Sequence, residues 1–112
     1  MESRSAIIAS GNIAGFEYYN GVKVFDQLKI GSALRLLPEP SNHYDENAIR
    51  LYFQDEHIGY IPSRMNCKIA QLMFFGHGDI FAAEVTRVAP DLEPANQVSF
   101  RICIKDRREQ IT

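Results

Sequence analysis

The sequence has no tryptophan, only two cysteines, and no excess of basic residues over acidic ones. Its 112 residues include 12 Lys and Arg against 14 Asp and Glu, which gives a formal net charge of −2. Proteins that coat nucleic acid along many phosphates usually carry a clear basic excess, because phosphate neutralisation drives their affinity. The charge therefore excludes a broad nucleic-acid coat and leaves room only for a small site with few phosphate contacts.

Long apolar runs are absent as well. No window approaches the roughly 18 apolar residues of a membrane span, and the run at residues 6–9 is far shorter than the signal-peptide core of about 7–15 residues. Apolar residues nevertheless make up 46% of the chain, which excludes intrinsic disorder. We expect one domain over residues 1–112 in the cytoplasm, with a core over about 5–105 and a charged, disordered tail over 106–112.

The two cysteines, Cys67 and Cys103, fall in segments that we interpret as helix and strand. We expect both to be buried small apolar residues in a reducing compartment rather than a disulfide pair. Neither has a partner at zinc spacing.

Catalytic and metal-binding patterns are missing too. The polar residues of the central loop do not recur at the spacing of a ligand set: Glu39, His43, Asp45 and Glu46. No Ser–His–Asp arrangement or phosphate-cradling glycine loop is present. The sequence therefore predicts a protein that is not an enzyme, with no cofactor and no metal.

The most informative stretch is the polar segment over residues 39–49, Glu-Pro-Ser-Asn-His-Tyr-Asp-Glu-Asn-Ala-Ile, which lies between two apolar runs. Pro40 fixes its own φ and favours extended backbone at Glu39, so the preceding strand ends here. The Ser, Asn and Asp side chains can hydrogen-bond their own backbone, which favours tight turns over a flexible linker. Tyr44 in the middle of such a loop has to pack or bind something.

Strand patterns occur on both sides of this loop. The clearest is the strict alternation of residues 49–53, with Ile49, Leu51 and Phe53 predicted to face inward and Arg50 and Tyr52 outward. A polar turn over 54–56 makes this run the first half of a hairpin. The predicted strands are 5–14 (bent or bulged at Gly11), 32–38, 49–53, 57–61, 80–88 and 98–104.

One helix is predicted over Arg64–Phe75, with Ser63 as its N-cap, Gly76 as its left-handed C-cap and an apolar stripe on one face. Residues 22–30 fit either a short helical turn or a strand followed by a loop, and residues 89–96 are predicted as a loop. About six short strands and one main helix indicate a mainly β protein, in the form of a small OB-like or SH3-like barrel.

Four segments, in this order, resemble the motifs of the HIRAN domain. They are Gly15-Phe16-Glu17-Tyr18-Tyr19-Asn20-Gly21, Leu36-Leu37-Pro38-Glu39-Pro40, Asn42-His43-Tyr44-Asp45-Glu46-Asn47-Ala48-Ile49 and Ile58-Gly59-Tyr60-Ile61-Pro62. The resemblance covers about residues 6–105. It implies an OB-like barrel that binds the 3′ end of single-stranded DNA, in the setting of DNA repair at stalled forks or damaged DNA. If the chain binds DNA, we expect it to be associated with the nucleoid.

The resemblance also implies which residues form the site. Tyr18 and Tyr44 would flank the terminal nucleotide, and Asp45 would accept a hydrogen bond from a free 3′-hydroxyl. Asn42 would contact a base edge or the sugar, or hold the loop, and Tyr60 would line the same pocket. Each of these residues also has a purely structural interpretation, such as packing in the barrel or capping a turn.

Two positions depart from the DNA-binding members of this family. Glu17 stands where those members have a basic residue, and Ser63 stands where they have a phosphate-binding lysine. Arg64, or Lys68 one helical turn later, is a candidate substitute.

Family members occur with SNF2-type ATPases, helicases or nucleases, and also alone in bacteria, so such enzymes are candidate partners. The alternative prediction is a protein-interaction module that holds a peptide or a partner enzyme's loop in the same pocket.

Overall fold

The structure is a computed structural model that describes residues 6–108. The predicted first strand begins at Ser5, and the predicted disordered tail includes residues 109–112; both of these parts lie outside the described residues. Residues 106–108 follow the last strand without regular structure, and the Arg107 side chain donates a hydrogen bond to the Asp79 carbonyl oxygen.

Six antiparallel strands form one sheet, in the order β1-β6-β5-β2-β3-β4. The predicted mainly β fold with about six strands is therefore confirmed. The strands are β1 (Ala6–Asn12), β2 (Ala33–Pro38), β3 (Ile49–Phe53), β4 (Glu56–Tyr60), β5 (Phe81–Val88) and β6 (Val98–Ile104).

The two outer strands of this order, β1 and β4, are joined just beyond the end of β1. Ala14 and Tyr60 form an antiparallel bridge, in which each backbone N–H donates to the other residue's carbonyl oxygen at 2.9 Å. One residue earlier, the Ile13 N–H still bonds the Val98 carbonyl of β6 at 3.0 Å. The chain thus passes from one end of the sheet to the other, and the sheet curls into a small barrel whose exposed edges are reduced.

The barrel interior holds the apolar core, and the β3–β4 hairpin shows how the sequence fills it. Ile49, Leu51 and Phe53 are buried, while Arg50 and Tyr52 face outward, which confirms the prediction from alternation. The largest fully buried side chains are Phe16, Phe100, Ile13, Ile49, Leu51, Ile58, Ile102, Val85 and Val98.

The main helix is α2 (Cys67–Phe74), which is shorter than predicted because Ser63–Met65 forms a separate 3-10 turn. Ser63 is therefore not its N-cap. The C-terminal prediction is confirmed, since Gly76 is left-handed (φ 92°) and the His77 N–H bonds the Leu72 carbonyl at 2.8 Å.

Two further helices are short. The segment that the sequence left open is helical, with α1 (Gly21–Val24) continuing into a 3-10 turn over Phe25–Gln27. The last helix, α3 (Pro94–Gln97), lies in what was predicted as a loop.

Other predictions are corrected by the structure. The irregular pairing in β1 lies between Ile7 and Ala9, not at Gly11, which pairs in register with Phe100. Cys103 is buried as expected, but Cys67 is exposed because the first turn of α2 directs it away from the core. Within residues 6–108, none of the helices has the length and hydropathy needed to cross a membrane.

Barrel closure sets a steric requirement at Gly59, whose φ is 150°. A Cβ atom there would lie 2.6 Å from the Ala14 carbonyl oxygen and would also collide with the Ile13 side chain. We expect Gly59→Ala to lower the free energy of unfolding by about 3 kcal/mol or more, because backbone at the closing bridge must move.

Urea unfolding checks this prediction, with Gly31→Ala as the matched control. Gly31 also has a positive φ (92°), but a Cβ there meets no atom within 4 Å, so we expect a cost of only about 1–2 kcal/mol. Equal decreases in unfolding free energy for Gly59→Ala and Gly31→Ala would contradict the steric explanation.

Candidate nucleic-acid interface

The loop between β2 and β3 is held by its own side chains. The Asn42 side-chain oxygen accepts hydrogen bonds from the Tyr44 and Asp45 N–H groups at 2.8 and 3.0 Å. The Asp45 carboxylate accepts one from the Asn47 N–H at 2.9 Å. These are the tight turns that Asn and Asp favour. They leave the Tyr44 side chain 99% exposed on a fixed backbone, so this ring does not plug the barrel.

Glu39 anchors the base of the loop to the barrel. One carboxylate oxygen accepts hydrogen bonds from the Asn42 side chain at 2.6 Å and from the Tyr60 hydroxyl at 2.9 Å. The other oxygen is bonded by the Arg50 guanidinium through Nε and Nη2. A single carboxylate therefore ties the loop to β3 and β4 together.

A second anchor connects the loop to the start of α2. The remaining Asp45 carboxylate oxygen accepts a hydrogen bond from the Asn66 side chain at 2.8 Å. Asn66 is only 2% exposed and directly precedes the helix, and its carbonyl oxygen accepts the Ala70 N–H at 2.8 Å. Asp45 is consequently fixed from both sides.

The Glu39 contacts set the charges at this place. Burial on its own would raise the pKa of Glu39, but the hydrogen bonds from Asn42, Tyr60 and Arg50 outweigh it and lower that pKa. Burial and the bond to Glu39 raise the pKa of Tyr60 to about 12. The bond to Tyr52 and the pairing with Glu39 raise the pKa of Arg50. The carboxylate and guanidinium stay charged near neutral pH, and the phenol stays protonated.

Aromatic rings line the side of the site that faces the loop. The Tyr19 ring lies 4.3 Å from the His57 ring and 5.5 Å from the Tyr60 ring, between centroids. His57 donates from Nε2 to the Gly59 carbonyl oxygen at 2.9 Å, and burial lowers the pKa of its imidazole, which is therefore neutral near pH 7.

The loop and this wall enclose an open cavity of about 250 Å³. Its lining combines ring faces, polar loop atoms and one carboxylate: Ala14, Tyr19, Asn42, Tyr44, Asp45, Ala48, Tyr60, Ile61 and Ser63. Such a surface can stack a planar group and bond to a hydroxyl or amide. In the described part of the chain, no group of three or more His, Cys, Asp or Glu could hold a metal ion.

A family model for the HIRAN domain matches residues 9–105. The chain belongs to the HIRAN domain family. Domains of this family generally bind the 3′ ends of single-stranded DNA, as DNA-binding modules that are generally non-catalytic.

Two solved structures resemble this HIRAN domain. A protein from Lactobacillus plantarum has a TM-score of 0.74 at 24% identity, with 95% of this chain and 100% of that chain covered. The HIRAN domain of human HLTF has a TM-score of 0.67 at 20% identity, with 93% of this chain and 81% of that chain covered. At these identities the likeness shows the fold, which is the predicted OB-like type. Comparison with curated proteins gave no match.

Four of the six predicted site residues meet in the cavity of this HIRAN domain: Asn42, Tyr44, Asp45 and Tyr60. Tyr18 is 80% exposed and lies outside the lining, where its neighbour Tyr19 is found instead. Arg64 also lies outside it and lines a separate cavity with Ile8 and Ile104.

Tyr19 lines the cavity, although the sequence did not predict it as a site residue. Phe16–Tyr18 is a 3-10 turn, in which side chains three residues apart lie on the same side. Buried Phe16 therefore places Tyr19, rather than Tyr18, towards the barrel. The roles of Glu39 and Arg50 as supports had no local sequence signal, because Arg50 and Tyr60 lie 11 and 21 residues from Glu39.

We expect Glu39→Gln to lower the free energy of unfolding by roughly 1–2 kcal/mol at pH 7, because Arg50 loses its charged partner. The folded-state pKa of Glu39 lies below the ordinary 4.5. Its stabilisation is therefore complete above that value and is lost as the pH falls through the folded-state pKa.

Chemical unfolding of both proteins between about pH 7 and pH 3 measures this difference. The matched control is Glu46→Gln, which changes an exposed carboxylate of the same loop. The difference in unfolding free energy between wild type and Glu39→Gln should shrink towards pH 3. A difference that stays constant down to pH 3, or an equal difference for Glu46→Gln, would rule out the anchoring role of the Glu39 charge.

Proposed function

We propose that this domain recognises the 3′ end of single-stranded DNA and that the terminal nucleotide enters the cavity beside Tyr44. The observation that carries the proposal is a large ring, almost wholly exposed, on a loop whose backbone is fixed by the Asn42 and Asp45 side chains. A backbone that is already fixed reduces the conformational entropy that the loop loses when the ring binds a flat ligand.

Stacking supplies the affinity in this proposal. Base–aromatic stacking contributes roughly 1–3 kcal/mol per base and tolerates any base. Tyr44, Tyr19 and Tyr60 all line the cavity, and in this proposal their rings contact the base. Because the Tyr60 hydroxyl already bonds Glu39, Tyr60 contributes its ring rather than its hydroxyl. Tyr18 and Arg64 lie outside the cavity lining, so this proposal does not include them in the end pocket.

Asp45 supplies the selectivity for an end. Each of its carboxylate oxygens accepts one hydrogen bond within the protein and retains capacity for another. A free 3′-hydroxyl can donate to such an oxygen, whereas a 3′-phosphate is repelled by the charge. An internal nucleotide has no free 3′-hydroxyl to donate.

The second candidate is a protein-interaction module that holds a peptide or a partner enzyme's loop in this cavity. One observation favours it: the lining contains a carboxylate and neither lysine nor arginine. Candidate partners under either function are a helicase, an SNF2-type ATPase or a nuclease, and the DNA-binding function would place the protein at stalled forks or damaged DNA in the nucleoid.

Fluorescence anisotropy with a short single-stranded oligonucleotide tests the first candidate. We expect the 3′-hydroxyl form to bind and the 3′-phosphate form to bind at least about tenfold more weakly. Tyr44→Ala should reduce affinity by roughly 5- to 100-fold, since one stacking contact is lost. The free energy of unfolding of Tyr44→Ala should equal that of wild type, because the Tyr44 side chain contacts almost nothing in the fold.

The matched control is Phe75→Ala, which removes another highly exposed ring (80%) that does not line this cavity. It should bind like wild type. Equal binding of both oligonucleotide ends, or equal losses in the two variants, would refute end recognition at this cavity. Displacement of the oligonucleotide by a candidate partner protein would favour the interaction module.

A further inference from the structure

The cavity leaves the negative charge of a nucleic acid unmatched. Asp45 is the one Asp, Glu, Lys or Arg among the residues that line it, and its carboxylate has the same sign as the ligand. Every further nucleotide adds a phosphate, and cationic side chains supply most of the affinity for phosphates. A cation outside the cavity is therefore needed.

Most cations around the site are already engaged or lie elsewhere. Arg50 is neutralised by Glu39, and Lys23 is paired with Glu56 at 3.0 Å. Arg64 and Lys68 line a different cavity together with apolar residues of β1 and β6. Arg50 and Lys23 are thus ion-paired, and Arg64 and Lys68 do not line the end pocket.

Arg35 is different. Its side chain is exposed, and within residues 6–108 it makes no ion pair with a carboxylate. The guanidinium carbon lies 4.6 Å from the centroid of the Tyr52 ring, in a cation–π contact. This contact restricts the side chain while the planar donors remain accessible, so phosphate binding costs less entropy than for a free arginine.

A continuous row of side chains connects Arg35 to the cavity. Arg35, Tyr52 and His57 are direct cross-strand neighbours on β2, β3 and β4. The Tyr52 and His57 rings are stacked at 5.4 Å, and His57 lies 5.0 Å from the Tyr60 ring that lines the cavity. Two interstrand spacings put Arg35 about 10 Å across the sheet from β4.

We propose that Arg35, held on the Tyr52 ring, binds the backbone phosphate of a nucleotide on the 5′ side of the terminal one. With about 3.4 Å per stacked nucleotide in one strand, this phosphate lies roughly two to four nucleotides from the end. The outer face of β2-β3-β4 is then the path along which the strand leaves the cavity. This inference rests on the proposed function.

The test compares 5′-fluorescein thymidine oligonucleotides of two and eight nucleotides, both with 3′-hydroxyl ends, by anisotropy across a salt series. Wild type should bind the octanucleotide more tightly than the dinucleotide. Arg35→Ala should weaken octanucleotide binding roughly three- to tenfold at low salt and reduce the salt slope by about 0.7, the value of one phosphate contact. Dinucleotide binding should stay unchanged.

Two further variants serve as controls for the Arg35→Ala result. Arg35→Lys keeps the charge but loses the planar group that stacks on Tyr52, so it should retain the salt slope and recover only part of the affinity. Lys68→Ala removes one positive charge from another surface and should behave like wild type. Thermal unfolding of each variant checks that the fold is intact.

Each outcome has a distinct meaning. Octanucleotide binding by Arg35→Ala that equals wild type, or an equal loss in Lys68→Ala, overturns the role of Arg35 while end recognition stands. Wild type that binds both lengths equally also overturns it. Wild type that binds neither oligonucleotide overturns the proposed function and this inference together.

Discussion

The site depends on one partly buried carboxylate. Glu39 accepts hydrogen bonds from Asn42 of the loop, Arg50 of β3 and Tyr60 of β4, so the loop and two strands meet at two oxygen atoms. The Arg50 charge compensates the cost of burying the Glu39 charge. Without the Glu39 carboxylate, the turns around Asn42 would remain, but the loop would lose its bonds to β3 and β4 and keep only the Asp45–Asn66 bond to the start of α2. The exposure of Tyr44 is useful only because its backbone does not move.

Close packing at two glycines allows the barrel to close and α1 to approach the core. At Gly59 the closing bridge leaves no room for a Cβ atom, and at Gly21 a Cβ would lie 2.6 Å from Cδ1 of the buried Phe16 ring. Gly21 thus lets α1 approach the core beside the turn that carries Tyr19. Both glycines belong to the segments that resemble the family motifs. Their role is steric, and it brings the aromatic wall and the polar loop to the same end of the barrel.

The alternating strands and the turn-rich loop of this protein could be predicted from sequence, whereas side-chain positions in its short helical turns could not. Period-two alternation predicted the β3–β4 hairpin, because one face of each strand must be buried. The turn-forming Asn and Asp residues predicted a rigid loop for a local physical reason. By contrast, the sequence predicted neither the exposure of Cys67 nor the places of Tyr18 and Arg64 outside the cavity lining. Each of these residues lies in or beside a 3-10 turn or at a helix start, where no long period applies. The sequence also did not predict the row from Arg35 to His57, because the register of the strand pairing determines which residues become cross-strand neighbours.

We propose that a preformed cavity beside the β2–β3 loop binds the end of a DNA strand. The most direct measurement is a two-dimensional ¹⁵N–¹H NMR titration with a thymidine trinucleotide that has a 3′-hydroxyl end. The account predicts shifts in the backbone amides of Tyr19, Tyr44, Asp45 and Ile61, with the hydrogen-bonded loop amides protected from exchange before and after addition. Shifts centred instead on residues 68–77 of the α2 surface, or loop amides that become protected only on binding, would contradict it.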